Sequence, residues 1–207
     1  MKVLIINGSP HAKGNTSIAI NEMLKIFDAE GIETNIVQVG NKAIRGCVAC
    51  GNCFKTGQCI FKDIVNETAP LFEQADGLVI AAPVYYGSAN GTIISFLDRL
   101  FFSTSTKFDK RMKVGASVVI ARRSGTTATF DELNKYFTMN QMPIVSSQYW
   151  NNVFGREQGQ AVQDGEGLQT MRVLARNMIF MMKSIALGKE QFGLPEKEEW
   201  IPTHFIR

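Results

Sequence analysis

Short runs of β-branched and aliphatic residues alternate with helix-length amphipathic segments along most of this chain, and that alternation admits few folds. The runs are Val3 to Ile6, Thr34 to Val39, Gly77 to Ala82 and Lys113 to Ala121, with Met142 to Ser146 a shorter fifth. Apolar positions at three-to-four spacing mark helices over Asn15 to Glu30, Ile64 to Gln74, Gly91 to Phe102, Phe130 to Asn140 and Gly165 to Leu187. Strands joined by helices pair in parallel, because a parallel crossover needs a connection of that length. The first, third and fourth runs are almost continuously apolar, as strands covered on both faces are, whereas Thr34 to Val39 alternates like a strand nearer an edge. Gly31 stands where a helix-ending left-handed residue is expected, and Asp131 and Asp164 read as acidic helix starts.

Right-handed crossovers between five such strands predict an α/β doubly wound sheet in Rossmann or flavodoxin order, and either places ligands at the carboxyl ends of the strands. The 207 residues suit one domain, read here as 1–207. A net charge of +3, spread without any Lys or Arg run, predicts no nucleic-acid partner. No apolar stretch approaches the roughly 18 to 20 residues that span a bilayer, and the opening MKVLIINGSP reads as a strand rather than an export signal. A cytoplasmic chain away from the membrane is therefore expected, and its four cysteines, all between Cys47 and Cys59, are not expected to form a disulfide framework.

The first run leads directly into NGSPHAKGNTS, Asn7 to Ser17, and then into a helix whose first-turn amides have no intrahelical partner. Ser9, Asn15, Thr16 and Ser17 add donors around a loop bent at Gly8, Pro10 and Gly14, so neutral groups can hold a phosphate there. His11 is expected to assist them. A bare capped turn is the plainer alternative. A dinucleotide fingerprint is absent, and a triphosphatase loop fails because five residues separate Gly8 from Gly14 and Asn15 stands where Lys belongs. The pattern G-S-P-x-x-x-G-N-T-S after a first strand resembles the phosphate loop of the flavodoxin-like NAD(P)H-dependent FMN reductases. That resemblance implies a three-layer sandwich, a five-stranded parallel sheet in order 2-1-3-4-5 with helices on both faces, and FMN.

In that family P-x-Y-x-G-S after the third strand wraps the isoalloxazine, which implies the same for Pro83, Val84, Tyr85, Tyr86, Gly87 and Ser88. Tyr85 or Tyr86 offers a flat face for the ring and Gly87 a close backbone approach, although paired tyrosines also cap cores. The fourth run opens into Arg122, Arg123, Ser124 and Gly125, a third wall in which the arginines either meet anionic cofactor groups or are solvated.

Cys47, Cys50, Cys53 and Cys59 have gaps of two, two and five residues, one departure from a ferredoxin series, within a glycine-rich loop at 46–60. This spacing between the second and third strands is similar to that of the iron–sulfur flavoproteins, as are the segments ARRSGTTATFDELNKYF, YWNNVFG and DGEGLQTMRVLARNM. The likeness implies a 4Fe–4S cluster near FMN; a tetrahedral zinc site and unligated thiols are the alternatives. An FMN-dependent oxidoreductase follows, fed by NADH or NADPH, with no catalytic residue beyond the flavin. Small-molecule acceptors or a ferredoxin-like protein would take the electrons, and a non-catalytic FMN shuttle is the rival reading. Apolar segments Ile93 to Phe102 and Met178 to Leu187 suggest a homo-oligomer, a dimer or, as the resemblance implies, a tetramer, with ordinary core burial as the alternative; a C-terminal extension at about 188–207 is opaque.

Overall fold

A computed structural model describes residues 1–205. The chain runs β1 (Lys2–Asn7), α1 (Asn15–Ala29), β2 (Glu33–Gln38), α2 (Asn52–Thr56), α3 (Ile64–Gln74), β3 (Gly77–Tyr85), β4 (Ser88–Ala89), α4 (Gly91–Ser103), β5 (Val114–Ala121), α5 (Thr126–Thr138), β6 (Asn152–Phe154), a short 3-10 turn (Gln160–Gln163) and α6 (Gly165–Phe192). The parallel strands lie in the order β2-β1-β3-β5-β6, with β4 hairpinned onto β3. Apart from that hairpin, this is the expected 2-1-3-4-5 flavodoxin order.

Alternate residues of each central strand supply two separate cores, as the period of two requires. Val3, Ile5, Val79, Ala81 and Val118 face α1 and α6, where Phe27, Met171, Leu174 and Met178 meet them. Leu4, Ile6, Leu78, Ile80 and Val119 face α3, α4 and α5 through Phe72, Phe96, Leu97 and Phe137. These side chains are buried, each contributing about 1.5–3 kcal/mol of transfer free energy, so both helical layers are anchored by the same three strands.

Four expectations change. The fifth strand does not run through Met142 to Ser146. Only Ile144 bridges Gly115 there; the chain then leaves the sheet and returns as β6, three residues long. Asn151 fills the interruption, its Nδ2 donating to the Ser117 carbonyl at 3.0 Å. The strand read as ending at Ala82 continues to Tyr85, because the segment expected to be loop pairs back onto Ser88–Ala89. Helix α5 begins at Thr126 rather than Phe130, after Gly125 in a left-handed conformation, and Asp131 lies inside it; Asp164 does cap α6, accepting from the Gly167 N–H at 2.9 Å. Finally, Ile93, Phe96, Leu97 and Leu100 are consumed by the chain's own core. Of the two segments expected to supply an apolar surface, Phe102 in the first and Phe180 and Leu187 in the second, on α6, remain exposed.

Gly31 has the expected positive φ of 66°. Residues 188–192 of the C-terminal stretch continue α6, and Trp200, Ile201 and Phe205 beyond it are exposed. Residues 206 and 207 lie outside the described residues. Among the described residues no helix is long and apolar enough to cross a membrane.

Candidate functional site

At the carboxyl end of the sheet, the loops after β1, β3 and β5 meet in one cleft. Its cavity volume of about 320 Å³ lies at the low end of the usual range for cofactor sites. Ser9, His11, Gly14, Asn15 and Thr16 form one end, and Pro83, Val84, Tyr85 and Arg122 line the rest.

The first loop is folded on itself and pinned from outside. The Ser9 N–H donates to Asn7 Oδ1 at 3.0 Å, and the His11 N–H donates to Ser9 Oγ at 3.2 Å. Gly8 donates to the Ala81 carbonyl at 2.8 Å, while its own carbonyl accepts from Asn90 Nδ2 at 2.9 Å. Gln38 Nε2 donates to the Ser9 carbonyl. Gly14 is the N-cap of α1, and its carbonyl takes the N–H groups of Ser17 and Ile18. The amides of Asn15 and Thr16, in the helix's first turn, have no intrahelical acceptor, and the positive end of the helix dipole lies with them.

Several expected side chains point elsewhere. Asn15 faces the loop after β6, its Nδ2 donating to the Glu157 carbonyl at 3.0 Å and its Oδ1 accepting from the Ala161 N–H at 3.1 Å. Ser17 Oγ donates to the Ala12 carbonyl at 2.6 Å and lies outside the cleft, as does Pro10. Ser88 Oγ bonds Glu132 of α5 instead of a ligand. Tyr85 is half exposed in the cleft, with its phenol pushed up by burial. Tyr86 is fully exposed and outside it. The hairpin's positive φ of 57° falls on Tyr86 rather than Gly87, a conformation costing a non-glycine residue about 1–2 kcal/mol. Arg123, Ser124 and Gly125 do not line the cleft. Gly125 acts indirectly: its φ is 86°, and a Cβ there would sit 2.8 Å from Val84 Cγ1, so its bareness lets the third loop close on the second.

The sequence reading missed a fourth wall made of Gly155, Arg156 and Gln158, following β6. The rule that ligands lie at the carboxyl ends of strands would have found it had the last strand been placed correctly. It also missed the support residues Gln38, Gly40 and Asn90. His11, Arg122 and Arg156 together give the cleft a basic rim.

Cys47, Cys50, Cys53 and Cys59 line a second, separate pocket with Val48, Ile60, Phe61 and Phe102. Left-handed residues Ala49, Gly51 and Gly57 curl the loop around it, and the Ala49 N–H donates to Cys47 Sγ at 3.4 Å. Cys47 and Cys50 are exposed; Cys53, on α2, is buried, which raises its thiol above the ordinary range. Cys59 is clamped by Asn66, which accepts from its N–H and donates to its carbonyl, both at 2.9 Å. Arg99 donates to its sulfur. The pocket thus gathers all four sequence-predicted thiols. Among the described residues, however, no group of three or more His, Cys, Asp or Glu side chains is drawn together as a site for a metal ion.

The family model for NADPH-dependent FMN reductase matches residues 1–156. An iron–sulfur flavoprotein of Methanocaldococcus jannaschii is 30% identical over 192 residues, covering 89% of this chain and 99% of that protein. An iron–sulfur flavoprotein of Methanosarcina thermophila is 27% identical over 194 residues, covering 92% of this chain and 100% of that protein. Among solved structures, RosB with bound 8-demethyl-8-formylriboflavin-5'-phosphate superposes with a TM-score of 0.69 at 14% identity, covering 99% of this chain and 92% of that one.

Proposed function

Because the chain belongs to the NADPH-dependent FMN reductase family, we propose that it binds FMN in the cleft and oxidises NADH or NADPH, passing the electrons to a separate acceptor. The observation that carries this reading is the convergence of three strand-end loops on a cleft with free helix amides at one end and an aromatic side chain farther along. Bound there, FMN would supply hydride acceptance and the release of electrons singly or in pairs.

The protein's part is to bind and orient. The amides of Asn15 and Thr16, with the Thr16 hydroxyl, suit a phosphate monoester. Pro83, Val84 and Tyr85 offer an apolar shelf for a flat ring, and β-sheet backbone beneath it at Ile120 and Ala121 excludes water from one side. Arg122 and Arg156 place positive charge where a reduced flavin or a nucleotide phosphate would be anionic, and His11 lines the same end of the cleft. No acid–base pair is needed for hydride transfer, and none is assigned.

The second pocket is read as the seat of a 4Fe–4S cluster held by Cys47, Cys50, Cys53 and Cys59. The chemistry of its donor set suits that group: four thiols line one largely apolar pocket, with N–H donors directed at two of the sulfurs, and binding the cluster would require the thiols to draw closer together. A ferredoxin-like protein or a small acceptor such as a quinone is the proposed electron sink.

Anaerobic mixing of FMN-loaded protein with NADPH, and separately with NADH, tests the function. Bleaching of the flavin and catalytic loss of reduced nicotinamide once an acceptor is added is the expected outcome. Failure with both nucleotides, in protein whose flavin dithionite still reduces, would leave the electron shuttle as the correct reading.

A further inference from the structure

Arg99, on α4, is the largest fully buried side chain among the described residues, at 1% exposure. A guanidinium has five N–H donors in a rigid plane, and here all five are directed. Nη1 donates to Asp63 Oδ2 at 2.8 Å and to the Arg45 carbonyl at 3.3 Å. Nη2 donates to Asp63 Oδ1 at 2.8 Å and to Cys59 Sγ at 3.2 Å, and Nε donates to that same sulfur at 3.3 Å. The guanidinium also lies 5.0 Å from the centre of the Phe61 ring.

A structural ion pair with Asp63 would need only two of these donors. Two more converge on one sulfur, from a side chain that itself lines the cysteine pocket. Asp63 is in turn fixed as the N-cap of α3, accepting from the Val65 N–H at 3.2 Å. Cys59 is therefore held by its backbone through Asn66 and by its sulfur through Arg99, a degree of orientation that Cys47 and Cys50, on the exposed loop, do not share.

We propose that Arg99 positions Cys59 and raises the reduction potential of the iron–sulfur cluster, with Asp63 moderating that effect; the inference rests on the cluster reading given above. Adding one electron makes a thiolate-bound cluster more negative. Hydrogen bonds to its sulfurs and a nearby cation stabilise that reduced form, which moves the potential upward. Asp63, paired bidentately with the guanidinium, offsets part of the positive charge. The two residues should thus act in opposite directions, which a merely structural pair would not do.

The test is a dithionite titration of the anaerobically prepared holoprotein, followed by electron paramagnetic resonance of the reduced cluster, alongside iron and sulfide analysis. Arg99→Gln is expected to lower the reduced-to-oxidised ratio at a fixed potential about tenfold, a shift of about 59 mV for a one-electron couple. Asp63→Asn keeps a good helix cap and should shift the midpoint upward, so the proposal stays testable even if Arg99→Gln does not fold. The flavin midpoint should not follow either change. Iron-replete variants with the wild-type midpoint, or shifts of the same sign, would overturn the role given to Arg99 alone. Wild-type protein devoid of iron and sulfide would overturn the cluster reading and this inference with it.

Discussion

Replacing Gly40 with Ala is expected to weaken flavin binding sharply, although Gly40 does not itself line the cleft. A Cβ on this residue would lie 2.1 Å from the Gly8 carbonyl oxygen and 2.2 and 2.3 Å from the carbonyl carbon and oxygen of Ser9. All three are backbone atoms, so no side chain can swing aside. The loop cannot retreat freely either, because Ala81, Asn90 and Gln38 hold it by hydrogen bonds. Either the phosphate cradle opens or the end of β2 moves. Overpacking of this kind commonly costs 1–3 kcal/mol, and spent at the cradle it would weaken FMN binding by about 5- to 150-fold. Equilibrium titration with FMN and a thermal melt of the apoprotein separate the two routes. Gly165→Ala is the control, since nothing lies within 4 Å of its added methyl. Wild-type FMN affinity and stability in Gly40→Ala would contradict this packing account.

The second large effect concerns the cysteines. Cys50→Ala should abolish the broad visible absorbance and the iron content attributed to the cluster, while FMN affinity stays within about twofold of wild type. Two facts lead there: Cys50 is exposed, so its loss leaves no core cavity, and the cysteine pocket shares no lining residue with the flavin cleft. Loss of flavin together with iron would show that the two sites are not independent.

What could be read from the sequence follows a physical divide. Continuous apolar runs such as Val3–Ile6 and Val114–Ala121 declare central strands because both faces must be covered; crossover rules then leave Rossmann or flavodoxin order, and only the resemblance carried by the first loop singles out the latter. The edge strand escaped this logic. Three residues at Asn152–Phe154 bury too little to leave a pattern, and Asn151 completes the ladder with a side chain that no periodicity reveals.

The cleft divides in the same way. Local features of the first loop, its glycines and its helix start, were legible at Ser9, Gly14 and Thr16. Side-chain direction was not: Asn15 and Ser17 carry suitable donors but spend them on Glu157 and Ala12, partners set by tertiary packing. Gly40 and Arg99 act through residues far away in sequence, Gly8 and Ser9 for the first, Cys59 and Asp63 for the second. Nothing near either position could have announced that.

The central claim is that the cleft at Ser9, Thr16 and Tyr85 is an FMN site. Adding flavin-stripped protein stepwise to FMN while following flavin fluorescence tests it most directly. Saturable quenching at one FMN per chain, with riboflavin binding far more weakly because it lacks the phosphate, is the predicted result. A protein that leaves the fluorescence of FMN unchanged, or that does not distinguish it from riboflavin, would contradict the claim.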